Sequence, residues 1–293
     1  MRVLLLGGTG QLGCEIVLAA PTSVQVVAPD RRALDLESAA AIEAAVAAAP
    51  FDMVINAAAY TAVDQAEAEP ARAVAINADA PAATARRGIP LLHVSTDYVF
   101  DGRKGAPYRP DDPVAPLGVY GASKEAGERA VRETNPHHVI LRTSWLYSPF
   151  GKNFVKTMLR LAAERERLTV VDDQRGTPTA AAGLAAACFV IAARLVSDPD
   201  APTGTFHYAD AGETTWCGLA RAVLVLAATR LPHVPEVVPI ATDQYPTPAR
   251  RPADSRLDCS ATVARFAVAQ PDWQTALTAT LDRLAASEEA PPT

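Results

Sequence analysis

Val3-Leu4-Leu5-Leu6-Gly7-Gly8-Thr9-Gly10-Gln11-Leu12-Gly13 is the stretch on which the fold turns. Its apolar run, Val3–Gly7, has no polar interruption, as a strand buried on both faces requires. Gly7, Gly10 and Gly13 follow in GxxGxxG spacing, which differs from the GxGxxG of many dehydrogenases. The physics is shared. Glycines let the backbone approach a pyrophosphate, and a helix read from Gly10 to Ala20 turns free N–H groups toward it, Gln11 and Leu12 first. A glycine turn can also be only a tight turn. Its place behind a buried strand favours a dinucleotide, as does Asp30 at the end of the next apolar segment, Val24–Ala28. A carboxylate there suits the ribose 2′-hydroxyl of NADH, whereas the adjoining Arg31 and Arg32 could pair with the 2′-phosphate of NADPH or simply be solvated. The residues therefore admit either cofactor. Asp35 and Leu36 either border the adenine or, for Asp35, cap the next helix.

Working outward, strand-like and helix-like segments alternate, the pattern of a doubly wound α/β parallel sheet. An alanine-rich helix runs from Asp35 toward Pro50, Met53–Ala57 reads as the third strand, and Glu69–Arg87 reads as helix with Pro70 in its first turn. Ile89–Ser95 is the fourth strand, 97–118 a long surface loop, Val119–Thr134 a helix and Val139–Thr143 a strand. Beyond Trp145 the rhythm loosens: helices over Phe154–Arg167, Thr179–Val196 and Thr214–Ala228, strands over Leu168–Val171 and Thr205–Ala209, and a frayed tail from Ala285. The expected architecture is a Rossmann-type domain over residues 1–150. A smaller α/β substrate-binding part covers 151–293, with some segments returning to the first domain and no flexible hinge between them.

Tyr120 and Lys124 lie four residues apart, so both leave one face of the helix. Free phenols ionise near pH ~10, and an ammonium within about 4–6 Å lowers that value, so the pair is expected to move a proton near neutrality. YxxxK also occurs by chance as a surface pair. Thr96, at the end of the fourth strand, makes it credible by offering a third group to the same site. Asn56-Ala57-Ala58-Ala59-Tyr60-Thr61 ends the third strand with small residues that let a cofactor lie close, though it can equally be an ordinary strand end.

The 293 residues carry a net charge of −6 and no basic patch, which argues against nucleic acid. Cys14, Cys188, Cys217 and Cys259 lack metal spacing and read as reduced, buried small hydrophobes; the histidines are scattered, so no metal site is expected. No window has the apolar length of a membrane span or a secretory leader, and the expected location is the cytoplasm.

Longer segments carry a resemblance. Ser95-Thr96-Asp97-Tyr98-Val99-Phe100, Arg142-Thr143-Ser144-Trp145, Thr177-Pro178-Thr179 and Tyr245-Pro246-Thr247-Pro248-Ala249, with the segments above, resemble the dTDP-4-dehydrorhamnose reductase family of extended short-chain dehydrogenases/reductases over nearly the whole chain. The resemblance implies NAD(P)H-dependent reduction of a dTDP-4-keto sugar. It implies Tyr120 as general acid, Lys124 holding the nicotinamide ribose and lowering the phenol's pKa, and Thr96 tuning the phenol. Gly10, Gln11, Leu12, Asp30, Asp35, Leu36, Ala59, Tyr60 and Thr61 match cofactor positions, while Asp97 and Trp145, with neighbouring Tyr98, match sugar-nucleotide positions. Thr96 is followed by one carboxylate, not the Asp–Glu pair of the related dehydratases, and the fuller match to reductases disfavours an epimerase. A non-catalytic NADP-binding regulatory subunit, also known on this fold, is disfavoured by the intact Tyr120, Lys124 and Thr96. Some relatives dimerise through Mg²⁺ held by glutamates. Glu15 matches one such position, but Ala180-Ala181-Ala182 offers no partner carboxylate. A homodimer stays open, a metal-bridged one is not expected, and Glu15 reads as a solvated helix residue.

Overall fold

The computed structural model describes residues 1–289. Six parallel strands form the central sheet: β1 (Arg2–Leu6), β2 (Gln25–Val27), β3 (Met53–Asn56), β4 (Leu91–Thr96), β5 (His138–Thr143) and β6 (Gly204–His207). Their order is β6-β5-β4-β3-β1-β2, so strands are added on one side of β1 with β2 and on the other from β3 onward. Successive side chains of a strand face opposite ways, and here both faces are covered. Val3 and Leu5 join Val139, Leu141, Ile16 and Leu184 in one core, while Leu4 and Leu6 join Ile42, Leu91, Ile140 and Val131 in another. That is why β1 needs an unbroken apolar run. The helices Gln11–Leu18 and Ala181–Ser197 cover the first face; Ala39–Ala47, Ala80–Ala85 and Val119–Thr134 cover the second.

β6 comes from the C-terminal half and pairs with β5, Gly204 opposite Val139 through His207 opposite Arg142. A separate core gathers around Tyr147, Val155, Met158, Leu219, Trp273 and Leu277. There the strands Arg167–Val171 and Glu236–Ile240 pair in parallel, flanked by the helices Phe154–Glu164, Trp216–Leu226 and Trp273–Glu289.

Several local expectations need correction. The helix read over Glu69–Arg87 is broken: Pro70–Val74 passes into a π turn, Ala75–Asp79, before Ala80–Ala85. The π turn delivers Asn77, fully buried, to the first turns of the helix Val119–Thr134: its carboxamide accepts from the Tyr60 N–H (2.8 Å) and donates to Ser123 Oγ (3.0 Å). The segment 97–118 is no mere surface loop, because Val99, Phe100 and Tyr108 are buried and Phe100 stacks on Tyr108 at 4.1 Å. The strand Glu236–Ile240 and the helices Ser260–Phe266 and Trp273–Glu289 were not legible from periodicity. The last takes in Ala285–Glu289 of the segment read as frayed, and 290–293 lie outside the described residues.

Glu15 is the sharpest correction. It is 3% exposed, and both its oxygens accept from Arg283 Nη1, at 2.9 and 3.0 Å. The pair joins the first helix to the C-terminal one across 268 residues. A guanidinium therefore pairs with the carboxylate that was read as solvated. Removing the arginine strands a buried charge, which costs more than removing both charges. Arg283→Ala should lower stability by roughly 2 kcal/mol and Glu15→Gln with Arg283→Gln by less, read from denaturant melts. Equal losses would show that the pair's charge is immaterial.

Candidate active site

A cleft of about 760 Å³ opens where β1, β3 and β4 end, on the side where ligands bind in open α/β sheets. Its floor is the glycine turn. Gly7 has φ +83°, and a Cβ on Gly13 would lie 2.0 Å from the Gly7 carbonyl oxygen, so helix and strand close only because that carbon is missing. Gly10 begins the helix with no side-chain cap, which leaves the first N–H groups to the cleft. These features fit a pyrophosphate, and Gly7, Gly10, Gln11 and Leu12 line the space it would fill.

At the ribose end, Asp30 Oδ1 accepts from the backbone N–H groups of Arg32 and Ala33, both at 2.9 Å, so part of this carboxylate shapes its own turn. Arg31 reaches Glu37 at 3.5 Å but remains 75% exposed, available to a 2′-phosphate. Asp35 does not cap the alanine-rich helix. Ser38 does, accepting from Ala41 N–H, while Asp35 accepts from Glu37 N–H. Asp30, Arg31, Asp35, Leu36, Ala59 and Thr61 all border the cleft. Tyr60 does not: its phenol donates to Glu69 Oε2 (3.1 Å) and its ring lies under Arg72. Gly13 also lies beneath the surface, in a packing role.

Thr96, Asp97, Tyr120 and Lys124 meet on the opposite wall. The Thr96 hydroxyl donates to Asp97 Oδ1 at 3.1 Å and accepts from the Tyr98 N–H at 3.2 Å, and Tyr98 meets Tyr120 edge-on with centroids 5.5 Å apart. Burial pushes the Tyr120 phenol up to about 12, and the influence of the Thr96 hydroxyl opposes that only in part. The expected depression by Lys124 is not seen. The lysine, 1% exposed, donates to Val94 O at 2.7 Å and lies 3.4 Å from His93 Nε2. Burial brings its ammonium down to about 8, against the pull of Glu128. Asp97 is 2% exposed, burial raises its carboxyl to about 6, and Oδ2 has no hydrogen-bond partner among the described residues.

Trp145 has φ +46°, a conformation rare outside glycine and characteristic of functional positions. Its indole stacks on Trp216 with centroids 3.7 Å apart. Trp216, which the sequence reading missed, borders both this cleft and a neighbouring one of about 870 Å³ whose wall includes Phe154, Gln174, Tyr245 and Arg251. Arg251 is held in a fork by Asp64, with Nη2 2.7 Å from Oδ2. Asn153 was also missed: it donates to Gln11 Oε1 at 2.9 Å and ties the 151–153 segment to the glycine-turn helix. Only spatial proximity reveals these residues; no sequence spacing marks them.

Gly13→Ala places a methyl carbon against the Gly7 carbonyl and must push the first helix off the strand. We expect at least tenfold weaker binding of reduced nicotinamide dinucleotide in titration calorimetry, roughly 1.4 kcal/mol or more. Unchanged affinity would show that the close approach does not shape the site.

Known proteins agree with this geometry. Residues 1–286 match the family described as RmlD substrate binding domain. A dTDP-4-dehydrorhamnose reductase of Sinorhizobium fredii is 42% identical over 279 residues, covering 94% of each chain. Crystal structures of dTDP-4-dehydrorhamnose reductases superpose closely. That from Clostridium acetobutylicum has a TM-score of 0.90 at 34% identity, covering 97% of this chain and 100% of that one. That from Bacillus anthracis, in complex with NADP, gives 0.88 at 34% identity, covering 96% and 99%. With a glycine-floored cleft, a threonine, tyrosine and lysine on its opposite wall, and this likeness along nearly its full length, the chain belongs to the dTDP-4-dehydrorhamnose reductase family.

Proposed function

We propose that the protein reduces the C4 ketone of dTDP-4-dehydro-β-L-rhamnose to dTDP-β-L-rhamnose with NADPH or NADH. The observation that carries the reading is the meeting of Thr96, Tyr120 and Lys124 on one wall of a cleft floored by the glycine turn. Bound in that cleft, the cofactor supplies the hydride. Residues 1–150, with the returning β6 and its flanking helices, hold it; most of the C-terminal part holds the sugar nucleotide in the neighbouring cleft.

Each residue's task follows from its surroundings. Burial keeps the Tyr120 phenol protonated at neutral pH, the state an acid must be in before it gives a proton to the C4 oxygen. Thr96 holds that phenol in place and stabilises it as it loses the proton. Lys124, still largely an ammonium at neutral pH, offers its remaining N–H to the nicotinamide ribose. Asp97, with Oδ2 free of a partner, receives a sugar hydroxyl. The Trp145–Trp216 stack forms an apolar wall that keeps water from the reacting carbon.

Turnover is tested by mixing the protein with reduced cofactor and the keto sugar and following loss of reduced-cofactor absorbance and formation of the rhamnose product. Cofactor binding without turnover would overturn the reading. Tyr120→Phe keeps the ring and removes the acid, so kcat should fall about 10²–10⁴-fold with cofactor affinity retained. The lysine is ammonium below its value of about 8 and amine above it, so kcat/KM should decline as pH rises through about 8. A flat profile there would remove the ammonium from the mechanism.

A further inference from the structure

The face of β4 turned toward the helix Val119–Thr134 carries Leu91, His93 and Ser95, alternate residues of one strand. Ser95 donates to Glu128 Oε1 at 2.6 Å, and His93 meets Lys124 one helical turn earlier. The helix joins two parallel strands and so runs opposite to β4, its end at Asn135 bonded to Ile89 O at 2.8 Å, and the two side-chain contacts cross between strand and helix.

His93 is an unusual residue for such a place. It is 0% exposed in the middle strands of the sheet, paired in register with Asn56 of β3 and Ile140 of β5. Among the described residues its Nδ1 has no hydrogen-bond partner. An apolar side chain would fill this position without stranding a polar atom. The only hydrogen-bond contact recorded for the ring among the described residues is Lys124 Nζ. Lysine has three N–H donors. One is bound by Val94 O and a second is directed at the imidazole, which leaves a single donor for the cleft.

We propose that His93 is a positioning residue for Lys124: a neutral imidazole sealed in the sheet accepts one ammonium N–H and so aims the remaining donor at the ligands in the cleft. The inference rests on the reading of Lys124 given under Proposed function. The groups around the pair are consistent with it. Burial and the nearby ammonium hold His93 well below its ordinary value, so it stays uncharged beside Lys124. Glu128 on the same helix favours the ammonium and is itself bound by Arg142 of β5 and by Arg132. His138 of β5 is likewise held neutral, its Nδ1 on Asn135 O. Among the described residues no carboxylate contacts the imidazole, so the acceptor that Lys124 meets is a lone pair and not a charge.

Two measurements test this. In the unaltered protein, ¹⁵N spectra of His93 should show a neutral ring with Nε2 unprotonated throughout the range where Lys124 is charged. A proton on Nε2 in that range would overturn the proposal, because the ring could not then accept. His93→Leu keeps an apolar filling and deletes the acceptor. Losing a hydrogen bond to the charged form should move the Lys124 titration, and the basic limb of kcat/KM, down by about 0.5–1 unit. kcat should fall roughly tenfold, a factor typical of a displaced catalytic group. His93→Gln, whose amide can present an acceptor near the place of Nε2, should restore both. A His93→Leu protein that melts like its parent yet keeps its limb and its kcat would also overturn it. The Lys124 titration is read without substrate. A lysine that shifts in a protein unable to reduce the keto sugar therefore defeats the proposed substrate and not the positioning role.

Discussion

Everything in this molecule rests on the contact at Gly13, where the first helix comes so close to β1 that no methyl group fits against the Gly7 carbonyl. That approach brings an uncapped helix N-terminus to the edge of the sheet and gives the cleft its floor. The apolar faces of β1 supply the force that holds it. Val3 and Leu5 on one side and Leu4 and Leu6 on the other are each removed from water, worth on the order of 1.5–3 kcal/mol per side chain.

The opposite wall is held by buried charge. Glu128, with no exposed side-chain surface, accepts from Arg142 Nε and Nη2 at 2.9 and 2.7 Å, from Ser95, and from Arg132. A buried ion pair contributes little net stability, because desolvation consumes the attraction, but its geometry is exacting. Here it locks β4, β5 and the helix bearing Tyr120 and Lys124 into one register. The same carboxylate favours the charged form of Lys124 against the effect of burial. Stability and chemistry thus meet in one side chain outside the reacting groups.

The parts of the fold built on strong periodicity were legible. Five strands of the parallel sheet follow from apolar runs, the sixth was read as a strand of the C-terminal part, and the Val119–Thr134 helix was read at its observed bounds. Where local pattern conflicted with packing, the reading failed. A smooth alanine-rich helix over 69–87 gives way to a π turn that presents Asn77 to Tyr60 and Ser123, and no periodicity encodes that requirement. Tyr60 shows the same limit within the site, since its place after β3 was evident but the turn of its phenol toward Glu69 was not.

By itself the amino-acid sequence determined the apolar strands, the glycine floor and the one-turn spacing of Tyr120 and Lys124, because these depend on residue type and short spacing. Only the tertiary structure decided which groups set their charge and direction. Burial raises the Tyr120 phenol where neighbouring charge was expected to lower it, Arg283 reaches Glu15 from the far end of the chain, and Trp216 comes to stack on Trp145. Desolvation and long-range contact are properties of the packed interior, and a linear pattern does not carry them.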